Sequence, residues 1–367
     1  MNRSPTIRDV AKKAGVSIST ASLALNGKPN VSEKTRLRVL RAAEELGYHP
    51  HLLARNLAHG RTRNLGLITP ISLEHLFASA GFFSQLIRGM HRAALEAGYN
   101  LSLHIAESED EAVERIRDVV RGRSVDGLLI TNPTVACPYL KDLKRQRIPY
   151  VFIGHPLEEA VYVDNDNVEV SRIGVQHLIR CGHQRIVFLN GPARFTFCID
   201  RLRGYRTALE EAGIPYREEL VWQSELVESA AYEVVFQRVP RHEFTAVFAG
   251  SDVQAVGAIR ALRDRGLEVP DDVAVVCVNN TDLARHFIPS LTTVDLHEYW
   301  LGYWAVKRLL QAVEGERTEH PLLIPGELVV RESCGCREQR PGPEGGGAAE
   351  GTDRPIDPPH KKRSVGG

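Results

Sequence analysis

Residues 6–47 read TIRDVAKKAGVSISTASLALNGKPNVSEKTRLRVLRAAEELG. Three short amphipathic helices follow one another in this stretch. Thr6 stands at a helix N-cap with Asp9 three residues on, and Ile7, Val10, Ala11 and Ala14 follow at i, i+3, i+4 and i+7. Gly15 ends that helix. Val16-Ser17 starts the next after a turn of a few residues, too short for anything but two helices crossing steeply. Ala21, Ala24 and Leu25 form the inner face of the second helix, and Asn26-Gly27-Lys28-Pro29 stops it. Ser32 caps a third, whose buried stripe is Val39, Ala42, Ala43 and Leu46 before Gly47.

The outward face of the second helix carries Ile18, Ser19, Ser22, Leu23 and Asn26. Two bulky apolar side chains on a polar face need a partner, and so small a unit has little surface of its own to offer. In a DNA major groove, apolar groups meet thymine methyls while Ser and Asn bond base edges or phosphates. Charge points the same way. The whole chain is neutral, with 46 basic and 46 acidic residues, but residues 1–63 hold 12 Lys/Arg against 4 Asp/Glu, a surplus of eight that the remainder cancels. The first sixth of the chain is the part that faces a polyanion.

The rest of the 367 residues is ordinary globular material, 43% apolar and 25% charged, enough for two or three folded units. No apolar run is long enough for a membrane span or a signal peptide, so the expected location is the cytoplasm, with no membrane partner. In a reducing compartment the six cysteines are expected to be small buried residues rather than disulfides. From Asn64 onward apolar runs alternate with helical patterns. NLGLITP, VDGLLITNP and YVFIGHP belong to a first set, and RIVFLNGP, TAVFAGSD and VAVVCVNN to a second. Such repetition predicts parallel sheets covered on both faces, in two lobes, with a cleft lined by the loops after the strands. Dinucleotide, phosphate-loop, zinc-protease and serine-hydrolase signatures are absent, which argues against an enzyme and a cofactor. Cys334-Gly335-Cys336 lacks the further ligands a structural zinc needs, so no metal is expected.

The run from Thr6 through Gly60-Arg61-Thr62 resembles the N-terminus of LacI/GalR-family transcriptional repressors. The resemblance implies that Thr6, Ser17, Thr20, Ser22, Asn26, Asn30, Ser32 and Thr35 sit at phosphate- and base-contacting positions, and that Ile18, Ser19 and Leu23 read bases. Leu23 departs from the arginine most relatives carry. His51 to Gly60 resembles the family's hinge helix, in which Leu53 would touch its dimer mate, Leu57 would wedge between base pairs in the minor groove, and Ala54 and Arg55 would line that groove. Residues 64–335 resemble the family's effector domain, itself similar to periplasmic sugar-binding proteins. By position, Phe82, Arg201 and Ser251 would line the ligand cleft, with His155 and Trp222 as walls; Phe83 reads as core. Asn279 stands where relatives that bind sugars or purines have aspartate, which removes an acceptor and leaves room for a more anionic effector, or for a pocket that has drifted from ligand control.

The expected architecture is therefore α/β: a three-helix helix-turn-helix headpiece (1–50), a hinge helix (51–62), and a two-lobed parallel-sheet domain resembling periplasmic binding proteins for effector binding and dimerisation (63–335). Its lobes are expected at 63–161 plus 293–321 and at 162–292 plus 322–335, with a disordered tail at 336–367. The expected function is a sequence-specific regulator, a repressor, acting as a homodimer on a pseudo-palindromic double-stranded operator under control of a carbohydrate-like effector. A solute-binding protein of a transport system is the rival; the basic N-terminus and the missing signal peptide argue against it.

Overall fold

A computed structural model describes residues 5–25, 29–48, 61–239, 243–316 and 321–336. Asn26, Leu53, Ala54, Arg55, Leu57 and the 337–367 tail lie outside the described residues. The chain forms two compact units, Met1–Arg63 and Asn64–Gly367.

The first unit holds α1 (Ile7–Ala14), α2 (Ile18–Leu25) and α3 (Glu33–Glu45). At the start of α1 the Thr6 N–H and hydroxyl both donate to the Asp9 carboxylate, at 2.8 and 2.7 Å. Gly15 ends α1 in the left-handed region, φ +63°, where a residue with a β-carbon is disfavoured. Val10, Ala11, Ala14, Ala21, Ala24, Val39, Ala42 and Ala43 form one buried cluster. Small side chains let three short helices approach closely, and a Lys13–Glu45 ion pair of 2.7 Å ties α1 to α3.

The second unit contains two six-stranded sheets. The first is built from β1 (Asn64–Pro70), β2 (Asn100–Ala106), β3 (Gly127–Thr131), β4 (Tyr150–Ile153), β5 (Tyr162–Asn165) and β11 (Leu322–Ile324). Its order is β11, β5, β4, β3, β1, β2, all parallel. Helices α4 (Leu73–Ala78), α5 (Ala80–Glu96), α6 (Glu109–Arg121) and α7 (Leu140–Gln146) accompany it. The second sheet comprises β6 (Ile186–Asn190), β7 (Val221–Gln223), β8 (Ala246–Ala249), β9 (Ala274–Asn279), β10 (Thr292–Asp295) and β12 (Glu327–Val329). Its order is β12, β10, β9, β8, β6, β7, with only β12 antiparallel to its neighbour. Around it lie α8 (Asn167–Arg180), α9 (Thr196–Glu211), α10 (Glu228–Arg238), α11 (Asp252–Asp264) and α12 (Asp282–His286), while α13 (Glu298–Val313) returns to pack on α5 of the first lobe.

Covering both faces of a parallel sheet makes its strands apolar throughout. Leu65 and Leu67 of β1 pack toward α5 and α13, whereas Ile68 packs with Leu128, Ile130 and Phe152 toward α6 and α7. Helices α5 and α13 touch backbone to backbone: a β-carbon on Gly302 would overlap the Leu86 carbonyl, and one on Gly89 the Tyr299 carbonyl.

Two expectations need correcting. The chain changes lobes after β5, after β10 and between β11 and β12, so residues 162–165 and 322–324 belong to the first sheet and residues 293–295 to the second. The expected boundaries differ by a few residues because a short buried strand reads alike in either sheet. The cysteines differ too: Cys137, Cys198, Cys277 and Cys334 are buried free thiols, but Cys181 and Cys336 are joined in a disulfide.

Candidate functional site

In the headpiece, Ser17, Ile18, Ser19, Asn30 and Ser32 are exposed, and Thr6, Thr20, Ser22, Leu23 and Thr35 are half-buried. Ile18 is 48% exposed, unusual for an isoleucine. Leu23 packs partly against the headpiece core, so it is less free than the helix periodicity implies. Ser17 and Ser32 cap α2 and α3, accepting from the Thr20 and Thr35 N–H groups at 3.0 and 3.4 Å. Each also bonds the hydroxyl of that same threonine, at 2.8 and 2.9 Å. Hydroxyl pairs are thereby fixed at two helix N-termini, where the free N–H groups and the helix dipole attract anions.

In the second unit a cleft of about 100 Å³ opens at the carboxyl ends of the strands, between the two sheets. That is where topology places a ligand in open α/β folds. Arg201 on α9 is 6% exposed. Its Nε donates to Asn167 Oδ1 at 3.0 Å and one terminal nitrogen to the Gly250 carbonyl at 2.6 Å. The guanidinium carbon lies 5.0 Å from the centre of the Phe197 ring. Burial pushes the Arg201 pKa below its ordinary value. Asp164 at the end of β5 lines the same cleft and is buried. Its carboxylate accepts from the His155 N–H (2.9 Å), the Asn165 N–H (2.7 Å) and the Asn167 amide (3.2 Å). Loss of hydration outweighs those bonds and the nearby Arg201 charge, and holds the Asp164 carboxyl up at about 7.

Phe82, Arg201, Ser251 and Asn279 all line this cleft. Ser251 also caps α11, accepting from the Gln254 N–H at 3.1 Å. Asn279 adopts φ +110° at the end of β9. Phe83 is both core and lining. Trp222 is not a wall: it is fully buried on the helix-covered face of the second sheet, with its indole N–H on the Glu219 carbonyl and its ring against Phe244. A β-strand side chain points to one face or the other, and β7 turns this one away from the cleft. His155 is not a lining residue either: it is half-buried, with Nδ1 3.4 Å from Asp200 of the other lobe. Asp164, Asn165, Asn167 and Phe197 line the cleft without having been singled out in the sequence. The Val163-Asp164-Asn165 ending of a short apolar run places Asp164 and Asn165 at the end of a strand, which was the available signal for those two, although nothing local marks the run as a crossing between lobes.

The lobes are also joined across the cleft mouth. His75 Nε2 lies 3.0 Å from Glu225, which Arg194 grips with two bonds of 2.9 and 2.8 Å. The Val135 N–H donates to the Arg194 carbonyl at 2.9 Å. Among the described residues no helix is long and apolar enough to cross a membrane.

Comparison with known proteins places these units. Residues 6–51 match the family model of bacterial regulatory proteins, lacI family, and residues 175–334 match a periplasmic binding protein-like domain. The HTH-type transcriptional regulator CelR of Thermobifida fusca is 37% identical over 339 residues, covering 90% of this chain and 98% of its own. Catabolite control protein A of Priestia megaterium is 30% identical, covering 89% and 98%. Among solved structures, the lac repressor dimer bound to operator and the anti-inducer ONPF superposes with a TM-score of 0.82 at 27% identity, covering 90% of this chain and 99% of that one. The CelR–cellobiose complex gives 0.70 at 35% identity, covering 90% and 99%. With a helix-turn-helix headpiece, a two-sheet cleft domain and relatives matched over nearly their whole length, the chain belongs to the LacI family and is a DNA-binding transcriptional regulator controlled by a small-molecule effector.

Proposed function

We propose that this regulator is a cytoplasmic homodimeric repressor, without enzymatic activity, that leaves its operator when a neutral, polyhydroxylated molecule of saccharide type closes the cleft. One observation carries the choice of effector. Arg201 and Asp164 face a shared cleft with Asn132, Asn165, Asn167 and Asn279, beside the rings of Phe82 and Phe197. Side-chain amides and a guanidinium–carboxylate set donate to and accept from vicinal hydroxyls, while aromatic rings cover the C–H faces of a sugar. Asp164 supplies the carboxyl group that Asn279 lacks, a pair of acceptors when ionised and a donor besides when protonated, which favours a polyol over an anion. The cellobiose named in the CelR complex is of this class.

On the DNA side, Ile18, Ser19, Ser22, Leu23 and Asn26 read the major groove, and the hydroxyls of Thr6, Ser17, Thr20, Ser32 and Thr35, together with Asn30, hold phosphates. Ala54, Arg55 and Leu57 work in the minor groove between half-sites. Two copies double a readout that one short helix limits to a few base pairs.

Titration calorimetry of the full chain with cellobiose, other mono- and disaccharides, a hexose phosphate and a nucleobase tests the effector class. Binding by a neutral saccharide, lost in Arg201→Ala, is expected. Tighter binding of the hexose phosphate or the nucleobase, or undiminished saccharide binding by the variant, would overturn it.

A further inference from the structure

The six cysteines are of two kinds. Cys137, Cys198, Cys277 and Cys334 are buried and unbonded, and burial drives the thiols of Cys137 and Cys198 up to about 11 and about 12. Those two stay protonated and are poor nucleophiles, and burial shields all four from small reagents. Cys181 and Cys336 are half-buried and bonded to each other, with Cα atoms 5.9 Å apart. Cys181 is the C-cap of α8. Cys336 follows β12 and the turn at Gly335.

We propose that Cys181 and Cys336 are a reversible thiol–disulfide site that responds to low-molecular-weight disulfides and, when oxidised, ties the chain beyond β12 to the end of α8. The case rests on how the two sulfurs are held. Ser333 donates to the Val275 carbonyl at 2.6 Å and accepts from the Thr292 N–H at 2.9 Å, and Cys334 is buried in the core shared with α8. These contacts keep Cys336 beside α8 whether or not the sulfurs are joined. A reduced pair therefore stays together, and reoxidation is intramolecular. Partial exposure gives a small disulfide access that the four buried thiols lack.

A third group stands at the site. His177 Nε2 lies 3.6 Å from Cys181 Sγ, within hydrogen-bonding reach of the reduced thiol, which it can help to hold in place. In the exchange, one protein thiolate attacks a sulfur of RS–SR, forming a mixed disulfide and expelling RS⁻. The second protein thiolate then attacks the protein-side sulfur and expels the other RS⁻. Two protein thiols become one disulfide, their two protons end on two RSH, and the small disulfide is the oxidant reduced.

The test equilibrates folded full-length protein with oxidised or reduced glutathione, blocks free thiols and maps peptides without reduction. A 181–336 cross-link in oxidised glutathione is expected, lost in reduced glutathione under native conditions. The bond closes a loop of 155 residues, so reduction should lower Tm by about 5 °C or more. Cys336→Ser should abolish the cross-link and the redox-dependent shift, and melt with the reduced parent. No cross-link in oxidised glutathione would overturn the proposal, as would one that resists reduced glutathione until the protein is denatured. So would a different assignment of the same atoms. The His177, Cys181 and Cys336 ligand atoms all lie within 4.8 Å of one another, and one equivalent of zinc retained by the reduced protein, shielding both thiols, would make this a metal site instead.

Discussion

Replacing Asp164 with asparagine should remove a pH dependence that the fold builds into its effector cleft. In the unfolded chain this carboxyl titrates at its ordinary 3.8, and in the folded protein burial raises it to about 7. Between those values the native state holds the proton and the unfolded state does not, so stability falls as pH rises from about 4 to about 7 and is level beyond. At 1.36 kcal/mol per pKa unit, the loss is on the order of 4 kcal/mol. Asp252 and Glu298 are buried and raised as well, which adds slope of the same sign, so the informative quantity is the difference between parent and variant. Asp164→Asn carries its own constant cost. One carboxylate oxygen accepts from Asn165 and Asn167 and the other from the His155 N–H, and an amide NH₂ facing that N–H would leave two donors opposed, costing about 1–3 kcal/mol. Urea unfolding from pH 4 to pH 8 should show the variant less stable in acid but with the shallower slope. Parallel pH profiles for the two proteins would refute the assignment and show that Asp164 is ionised in the native state throughout.

Gly302→Ala should lower Tm by several degrees, through an overpacking cost of about 1–3 kcal/mol, because the new methyl overlaps the Leu86 carbonyl where α5 and α13 cross; an unchanged melting curve would show that the helices can separate freely. Leu23→Arg should change the preferred base at one symmetric pair of operator positions by about 1–3 kcal/mol, read by selection from a random DNA pool, whereas an unchanged consensus would place that side chain outside the groove. With a surplus of eight positive charges in residues 1–63, operator affinity should fall steeply with salt, by about 0.9 in logarithmic slope for each phosphate neutralised, and a flat salt titration would contradict an electrostatic footing.

Local chemistry made the headpiece readable. Thr6 with Asp9, Gly15, Ser17 and Ser32 each specify a helix boundary by a hydrogen bond or a backbone region that few other residues supply, and the alanine stripes announce close helix packing. The alternation of apolar runs and amphipathic helices predicted the two parallel sheets for the same reason. The cleft was less legible, because its lining comes from loops far apart in sequence. Arg201 stood out only through the family resemblance, by its position in the chain. Asp164, Asn165 and Asn167 acquire their position only because β5 ends where the chain passes between lobes, and no local pattern marks that crossing. Trp222 shows the opposite failure: three residues of strand are too few to tell which face a side chain takes, and packing of the second sheet against α10 decided it. The pairing of Cys181 with Cys336 likewise depends on β12 running beside α8, a contact between segments 155 residues apart.

Control of operator binding through Arg201 is the central claim, and fluorescence-anisotropy titration of the full chain on its selected operator, with and without the saccharide that calorimetry identifies, tests it most directly. The parent should lose operator affinity by at least about tenfold when the saccharide is present, a coupling of about 1.4 kcal/mol, while Arg201→Ala should bind the operator as the ligand-free parent does and ignore the saccharide. Equal loss of affinity in both proteins, or a parent whose operator binding does not move at saturating saccharide, would contradict it.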